Sequence, residues 1–175
     1  MNNRKFYTLI AMLFGIFLLG FAQTTQAQTA GTMKISLFFP KDNAEGVVEL
    51  VKVERTVKKT SAVADTALRE LLKGVNADEK KLGLMSTYEV KDIVTGREEC
   101  SPDKAKPLAD YFIGIKIKKG TAIVNFRPEA GCYLDTAITA ADFVMKPIEA
   151  TLKQFPSIKG VDYAINGKVI TEWDA

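Results

Sequence analysis

The chain has 175 residues, with 24 Lys and Arg against 21 Asp and Glu, two Cys and no His, for a net charge of +3. Without His the commonest general base and the commonest metal ligand are both missing, so His-assisted serine or cysteine catalysis is excluded, and no C-x-x-C spacing offers a zinc site. Any enzyme chemistry would rest on carboxylates, and the near balance of charge lacks the clustered basic face of a nucleic-acid binder.

The first 27 residues read as an export signal. Arg4 and Lys5 form a short basic start, Leu9 to Phe21 is an apolar run broken only by glycines, and Thr25-Gln26-Ala27 supplies small residues at the cleavage site. The run is shorter than the about 20 residues a spanning helix needs; an uncleaved N-terminal anchor is the competing reading. No Cys follows the run, which is expected to close the lipid-anchored route. The mature chain should begin near Gln28, keep no stable membrane anchor, and carry a charge of about +1, because two basic residues leave with the signal. Residues 28–32 read as a flexible lead, and residues 33–175 as one domain.

Both cysteines, Cys100 and Cys132, lie in the exported part, and an even count in an oxidising compartment points to a disulfide. Closing that loop stabilises by about 3.5–4 kcal/mol on the chain-entropy account.

Alternation of Ile35, Leu37 and Phe39 predicts a strand ended by Pro40 and the Lys41-Asp42-Asn43 cluster. A second strand is expected over Glu49–Val57, where Val51, Val53 and Val57 share a face with Arg55. Arg55 is the odd member, read as a half-buried side chain snorkelling to the sheet edge. Helical spacing of Val63, Ala64, Ala67, Leu68, Leu71 and Leu72 predicts a helix over 61–73, with Ser61 as N-cap, Gly74 as the left-handed stop and an Asp65–Arg69 pair one turn apart.

From Asn76 to Asp110 the pattern weakens to a long surface excursion with one short helix and one short strand, carrying Cys100. Ile113, Ile115 and Ile117 then alternate with Gly114, Lys116 and Lys118; Lys119-Gly120 turns the chain; Ala122, Val124 and Phe126 alternate on the return. Cys100 precedes this hairpin and Cys132 follows it, so its geometry also favours their pairing. A helical segment over 136–154, capped by Asp135, carries Ile138, Ala141, Met145, Ile148 and Leu152 on one stripe; Pro147 predicts a kink or two pieces meeting at Lys146. Val161, Tyr163 and Ile165 lead into the tight-turn dipeptide Asn166-Gly167, and Val169-Ile170 form a last short strand.

Three stretches carry a family likeness: Ala67-Leu68 with Leu71-Leu72-Lys73-Gly74; Thr121-Ala122-Ile123-Val124-Asn125-Phe126; and Thr151-Leu152-Lys153-Gln154-Phe155-Pro156 followed by Val161 and Asn166-Gly167. Together, over about Met33 to Val169, they resemble the GerMN domain, the module named for bacterial sporulation and spore-germination proteins. Asn125 stands where the family usually carries Asp, and Val75 where Pro commonly follows the Gly. The resemblance implies an α+β fold, a mainly antiparallel sheet with two main helices packed against it, exported to the cell envelope. It brings no catalytic residue and no cofactor.

The leading expectation is therefore a non-enzymatic envelope module that binds a protein or peptidoglycan, its oligomeric state left open. The alternatives are a small hydrolase using paired carboxylates among Glu129, Asp135 and Asp142, and a secreted inhibitor or ligand carrier. Lys116, Lys118 and Lys119 read first as a solvated hairpin edge; with Asn166 and Gly167 they are also the candidate partner contact, next to the disulfide-tied region around Glu98–Lys106.

Overall fold

The structure, a computed structural model, describes residues 31–43, 47–89, 100–101, 103–134 and 141–170. The expected signal over 1–27, Val90, Glu98, Asp135 and Ile138 lie outside the described residues.

Strands β1 (Thr32–Asp42) and β2 (Val48–Lys58) form an antiparallel hairpin in register from Thr32 opposite Lys58 to Asp42 opposite Val48. Ile35, Leu37 and Phe39 face inward and are buried. Pro40 does not end β1. In an antiparallel strand a residue's N–H and C=O point to the same side; the Pro40 carbonyl accepts from the Met85 amide at 2.8 Å, so the missing N–H lies on the side away from β2 and the ladder loses nothing. On that same side Thr151 Oγ1 accepts from the Phe38 amide and Gln154 donates to the Ser36 carbonyl, so a helix covers the outer edge of β1.

Helix α1 (Val63–Leu72) buries Ala67, Leu68, Leu71 and Leu72 on the stripe its spacing predicts. Its N-cap is Ala62 rather than Ser61, with no side-chain cap; Thr60 Oγ1 instead accepts from the Ala62 amide at 3.1 Å. Gly74 follows at φ +77°, a left-handed conformation in which a Cβ would lie 2.7 Å from Ser86 Oγ. The short helix α2 (Ala77–Lys81) opens with Asn76, whose side chain accepts from the Asp78 and Glu79 amides while Glu79 accepts from the Asn76 amide.

The excursion after α2 is more buried than its composition suggests. Leu84 and Tyr88 belong to the core, and the Tyr88 carbonyl accepts from the Leu108 amide at 2.9 Å. Scattered apolar residues without a period could not show this in the sequence. One-turn α3 (Leu108–Tyr111) leads into β3 (Phe112–Lys118) and β4 (Thr121–Phe126), the predicted hairpin. A 3₁₀ turn over Pro128–Ala130 and one-turn α4 (Gly131–Leu134) follow. Cys132 of α4 is bonded to Cys100, with Cα atoms 5.4 Å apart.

The segment around Pro147 is two pieces meeting at Lys146, a short π-helix over Ala141–Met145 and helix α5 (Lys146–Lys153). Pro147 thereby falls in the first turn of α5, directly after the π-helical residues, so the wider π-helical turn adjoins the proline. Strands β5 (Gly160–Ile165) and β6 (Lys168–Ile170) complete a four-stranded sheet in the order β3-β4-β5-β6. Here β4 and β5 run parallel and the other pairings are antiparallel, so the sheet is mixed. Helices α1 and α5 pack on each other and on β1, α5 also on β5 and α1 on β3, joining both sheets around one core. Among the described residues no helix is long and apolar enough to cross a membrane.

Candidate functional site

Of the predicted contact residues, Lys116 and Lys118 lie on β3, while Lys119, Asn166 and Gly167 sit on two tight turns of the four-stranded sheet. Lys119 and Gly120 adopt φ 50° and 85°, and Asn166 and Gly167 adopt φ 47° and 81°. Both positions of each turn are therefore left-handed, which fits the two-residue turn that matches strand twist. Lys116, Lys118 and Lys119 are exposed and, among the described residues, belong to no ion pair.

The fold places these two turns at opposite ends. The Lys159 amide donates to the Gly120 carbonyl at 2.7 Å, beside the start of β4, whereas the Asn166 amide donates to the Phe126 carbonyl at 2.9 Å, beside its finish. Because β4 and β5 are parallel, a strand length on the order of 16 Å separates the turns. The Asn125 side chain accepts from the Gly167 amide at 2.8 Å, a task an Asp would serve as well.

The disulfide belongs to the Asn166 end. There the Arg127 amide donates to the Tyr111 carbonyl, Tyr111 Oη accepts from the Lys106 amide at 2.8 Å, and Tyr133 Oη donates to the Lys106 carbonyl at 2.9 Å. Lys106 thus lies at the open end of the hairpin and Lys118-Lys119 at its tip, whereas the sequence expectation sets the Glu98–Lys106 region next to the basic edge.

Arg55 departs from its expected role. Its side chain turns inward beneath the Phe39 ring, 5.3 Å from the centroid, and donates through Nε and Nη2 to Glu79 at 3.0 and 2.5 Å. It also donates to the carbonyls of Glu70 and Gly74 at 2.9 and 2.6 Å, which are left without helical partners at the end of α1. Burial alone would raise the Glu79 carboxyl, but hydrogen bonds from Arg55 and the Asn76 amide, with the Arg55 charge, outweigh it and hold the carboxyl below its ordinary value. Sequence reasoning missed Glu79; the available signal was Asn76 three residues before it, the pattern of a capping box.

Of the carboxylates considered for hydrolysis, Asp142 is paired with Lys146 one turn on, Glu129 is exposed on the 3₁₀ turn, and Asp135 is outside the described residues. The isoleucines of β3 do not all enter the core as their alternation predicts. Ile113 and Ile117 are 45% and 48% exposed. Ile115 and Ile117 line an open groove of about 260 Å³ with Ala62, Val63, Ala64 and Phe155.

Comparison with known proteins fits this geometry. The first GerMN domain of the sporulation protein GerM from Bacillus subtilis is 22% identical, with a TM-score of 0.52 over 82% of this chain and 90% of that one. The tandem GerMN domains of the same protein are 19% identical, with a TM-score of 0.53 over 80% of this chain but only 41% of that one. At these identities the likeness is one of fold. A search of curated proteins gives no match. The family model described as "Germane: Sporulation and spore germination" matches residues 36–171, from the middle of β1 to just past β6, and the chain therefore belongs to the Germane family.

Proposed function

We propose that this protein is an exported, non-enzymatic module of the bacterial cell envelope that holds a protein partner or peptidoglycan. The observation that carries the reading is how the charged side chains are used. Glu79, a buried carboxylate of the kind an acid–base enzyme would recruit, is locked between Arg55 and the N-terminus of α2. Asp142 is taken by Lys146. The lysines of the β3–β4 tip, by contrast, stand exposed on a rigid hairpin, where a binding surface gains from prearranged charge. The Cys100–Cys132 bond suits the oxidising compartment to which the Arg4-to-Ala27 leader would deliver the chain.

The test is capture from envelope extract and on purified sacculi, using protein recovered after export. A stoichiometric protein partner or retention on sacculi is the expected result. Release of soluble wall fragments would establish the hydrolase instead, and neither retention nor release would remove the module reading. Intact mass of the exported protein should begin at Gln28; a species keeping Met1–Ala27 would overturn the cleavage.

A further inference from the structure

We propose that the Ile115–Ile117 stretch of β3 accepts an extended segment of a partner protein, whose side chains alternate between apolar and acidic, as an added strand of the sheet. The inference rests on the module reading above and names the class of partner.

The backbone supplies the first argument. Among the described residues, β3 is a terminal strand of its sheet. In a two-residue hairpin the residues flanking the turn, here Lys118 and Thr121, exchange both ladder bonds, and every second residue repeats the pattern. The N–H and C=O groups of Ile115 and Ile117 therefore point away from β4. Further along β3 the Ile113 carbonyl is taken by Arg69 at 3.2 Å, which confines the opening to the Ile115–Ile117 end.

The side chains supply the second. Ile115 and Ile117 lie opposite the buried Val124 and Ala122, on the face toward α1, and there they border the groove with Val63, Ala64 and Phe155. Lys116 and Lys118 lie on the other face. A strand laid along this edge would set alternate side chains over the groove and beside the lysines. Asp65, at the rim of the groove, is already paired with Arg69 at 2.7 Å, so the local charge open to a partner is that of the lysines.

Charge selects the occupant. Two copies meeting at β3 would place lysine against lysine, which like-charge pairing disfavours. The exposed face of β2 carries both signs, through Lys52, Glu54 and Lys58, and Lys34 already pairs with Glu54 there. It offers no comparable preference. An acidic, alternating segment satisfies the free backbone groups, the groove and the lysines together.

The experiment titrates isotope-labelled exported protein with a ten-residue peptide alternating Glu and Val, following backbone amides and their hydrogen exchange. Shifts and slowed exchange confined to Ile115–Lys118 are expected, and a peptide N-methylated at every second residue should fail to bind. Ile117→Pro removes an outward N–H without taking a bond from β4, and should abolish binding. Lys116→Glu with Lys118→Glu should weaken it by more than tenfold and transfer the preference to a Lys–Val peptide. Unchanged amides at millimolar peptide would overturn the proposal. So would full binding by Ile117→Pro, with the rest of its amide spectrum unmoved, or soluble glycan fragments acting on these amides while the peptide is silent. If Ile117→Pro still captures the envelope partner at the wild-type level, the edge proposal fails and the module reading stands; if wild type captures nothing, the module reading fails while the peptide titration still decides the edge.

Discussion

Replacing Arg55 by Met tests the interior of the fold most sharply. The side chains of Arg55 and Glu79 keep 15% and 9% of their surface, so the change leaves a carboxylate largely desolvated without its cation and the carbonyls of Glu70 and Gly74 without their donor. Breaking a buried pair costs about 3–5 kcal/mol, and the residual exposure places Arg55→Met near the lower end, at about 3 kcal/mol. Glu79→Gln keeps an acceptor for the Asn76 amide and leaves Arg55 its two carbonyls, so about 1–2 kcal/mol is expected. Glu54→Gln is the control: its pair with Lys34 is 73% and 51% exposed, and exposed pairs contribute at most about 1 kcal/mol. The pH dependence has a definite sign. Glu79 is held below its ordinary 4.5 in the folded chain, so between the two values the unfolded chain binds the extra proton and stability falls with falling pH. Its contribution is whole above that ordinary value and is lost as pH drops through the folded one; Glu79→Gln should lack this part of the acid loss. Urea unfolding followed by circular dichroism between neutral pH and pH of about 3 measures both. An Arg55→Met loss below about 1 kcal/mol, or a Glu79→Gln acid limb identical to wild type, would refute the reasoning.

Three further outcomes follow from single sites. Tyr88 Oη is buried and, among the described residues, without a hydrogen-bond partner, so Tyr88→Phe should be neutral or stabilising by up to about 1 kcal/mol in urea unfolding. Gly74→Ala should cost about 2 kcal/mol, since φ +77° strains any Cβ and Ser86 Oγ must move; thermal unfolding reads this directly. Removing both Cys100 and Cys132 as Ser should cost about 3–4 kcal/mol by loop entropy, and alkylation before reduction should label neither thiol in protein taken after export.

Local chemistry made much of the fold legible. Both tight turns, the α1 stripe, the left-handed Gly74, the Asp65–Arg69 pair and the division at Lys146 each depend on residues within a few positions of one another. The failures depend on distant partners. Pro40 continues a strand because Met85 meets its carbonyl, and Arg55 turns inward because α1 ends and α2 begins above it. Tyr88 is core because Leu108 returns beside it. The layout of the candidate contact was not legible either, since Lys119 and Asn166 occupy similar turns whose separation follows from a parallel β4–β5 pairing, and nothing in either turn encodes the direction of the neighbouring strand.

The alternation of isoleucine and lysine along β3 carries two demands that only the folded sheet brings together. An open edge bearing apolar side chains invites pairing with any exposed strand, and lysines are a common means of blunting it. Here Lys116 and Lys118 stand across the strand from the two isoleucines that border the groove, so they repel a second copy of the same edge. The same charges would admit an acidic strand. A solvated lysine edge and a partner contact are therefore compatible readings of one surface, and ionic strength separates their effects: salt should weaken an acidic partner while relaxing the repulsion between copies. Self-association that rises with salt as acidic peptide binding falls is the joint signature of an edge guarded and addressed by the same two residues.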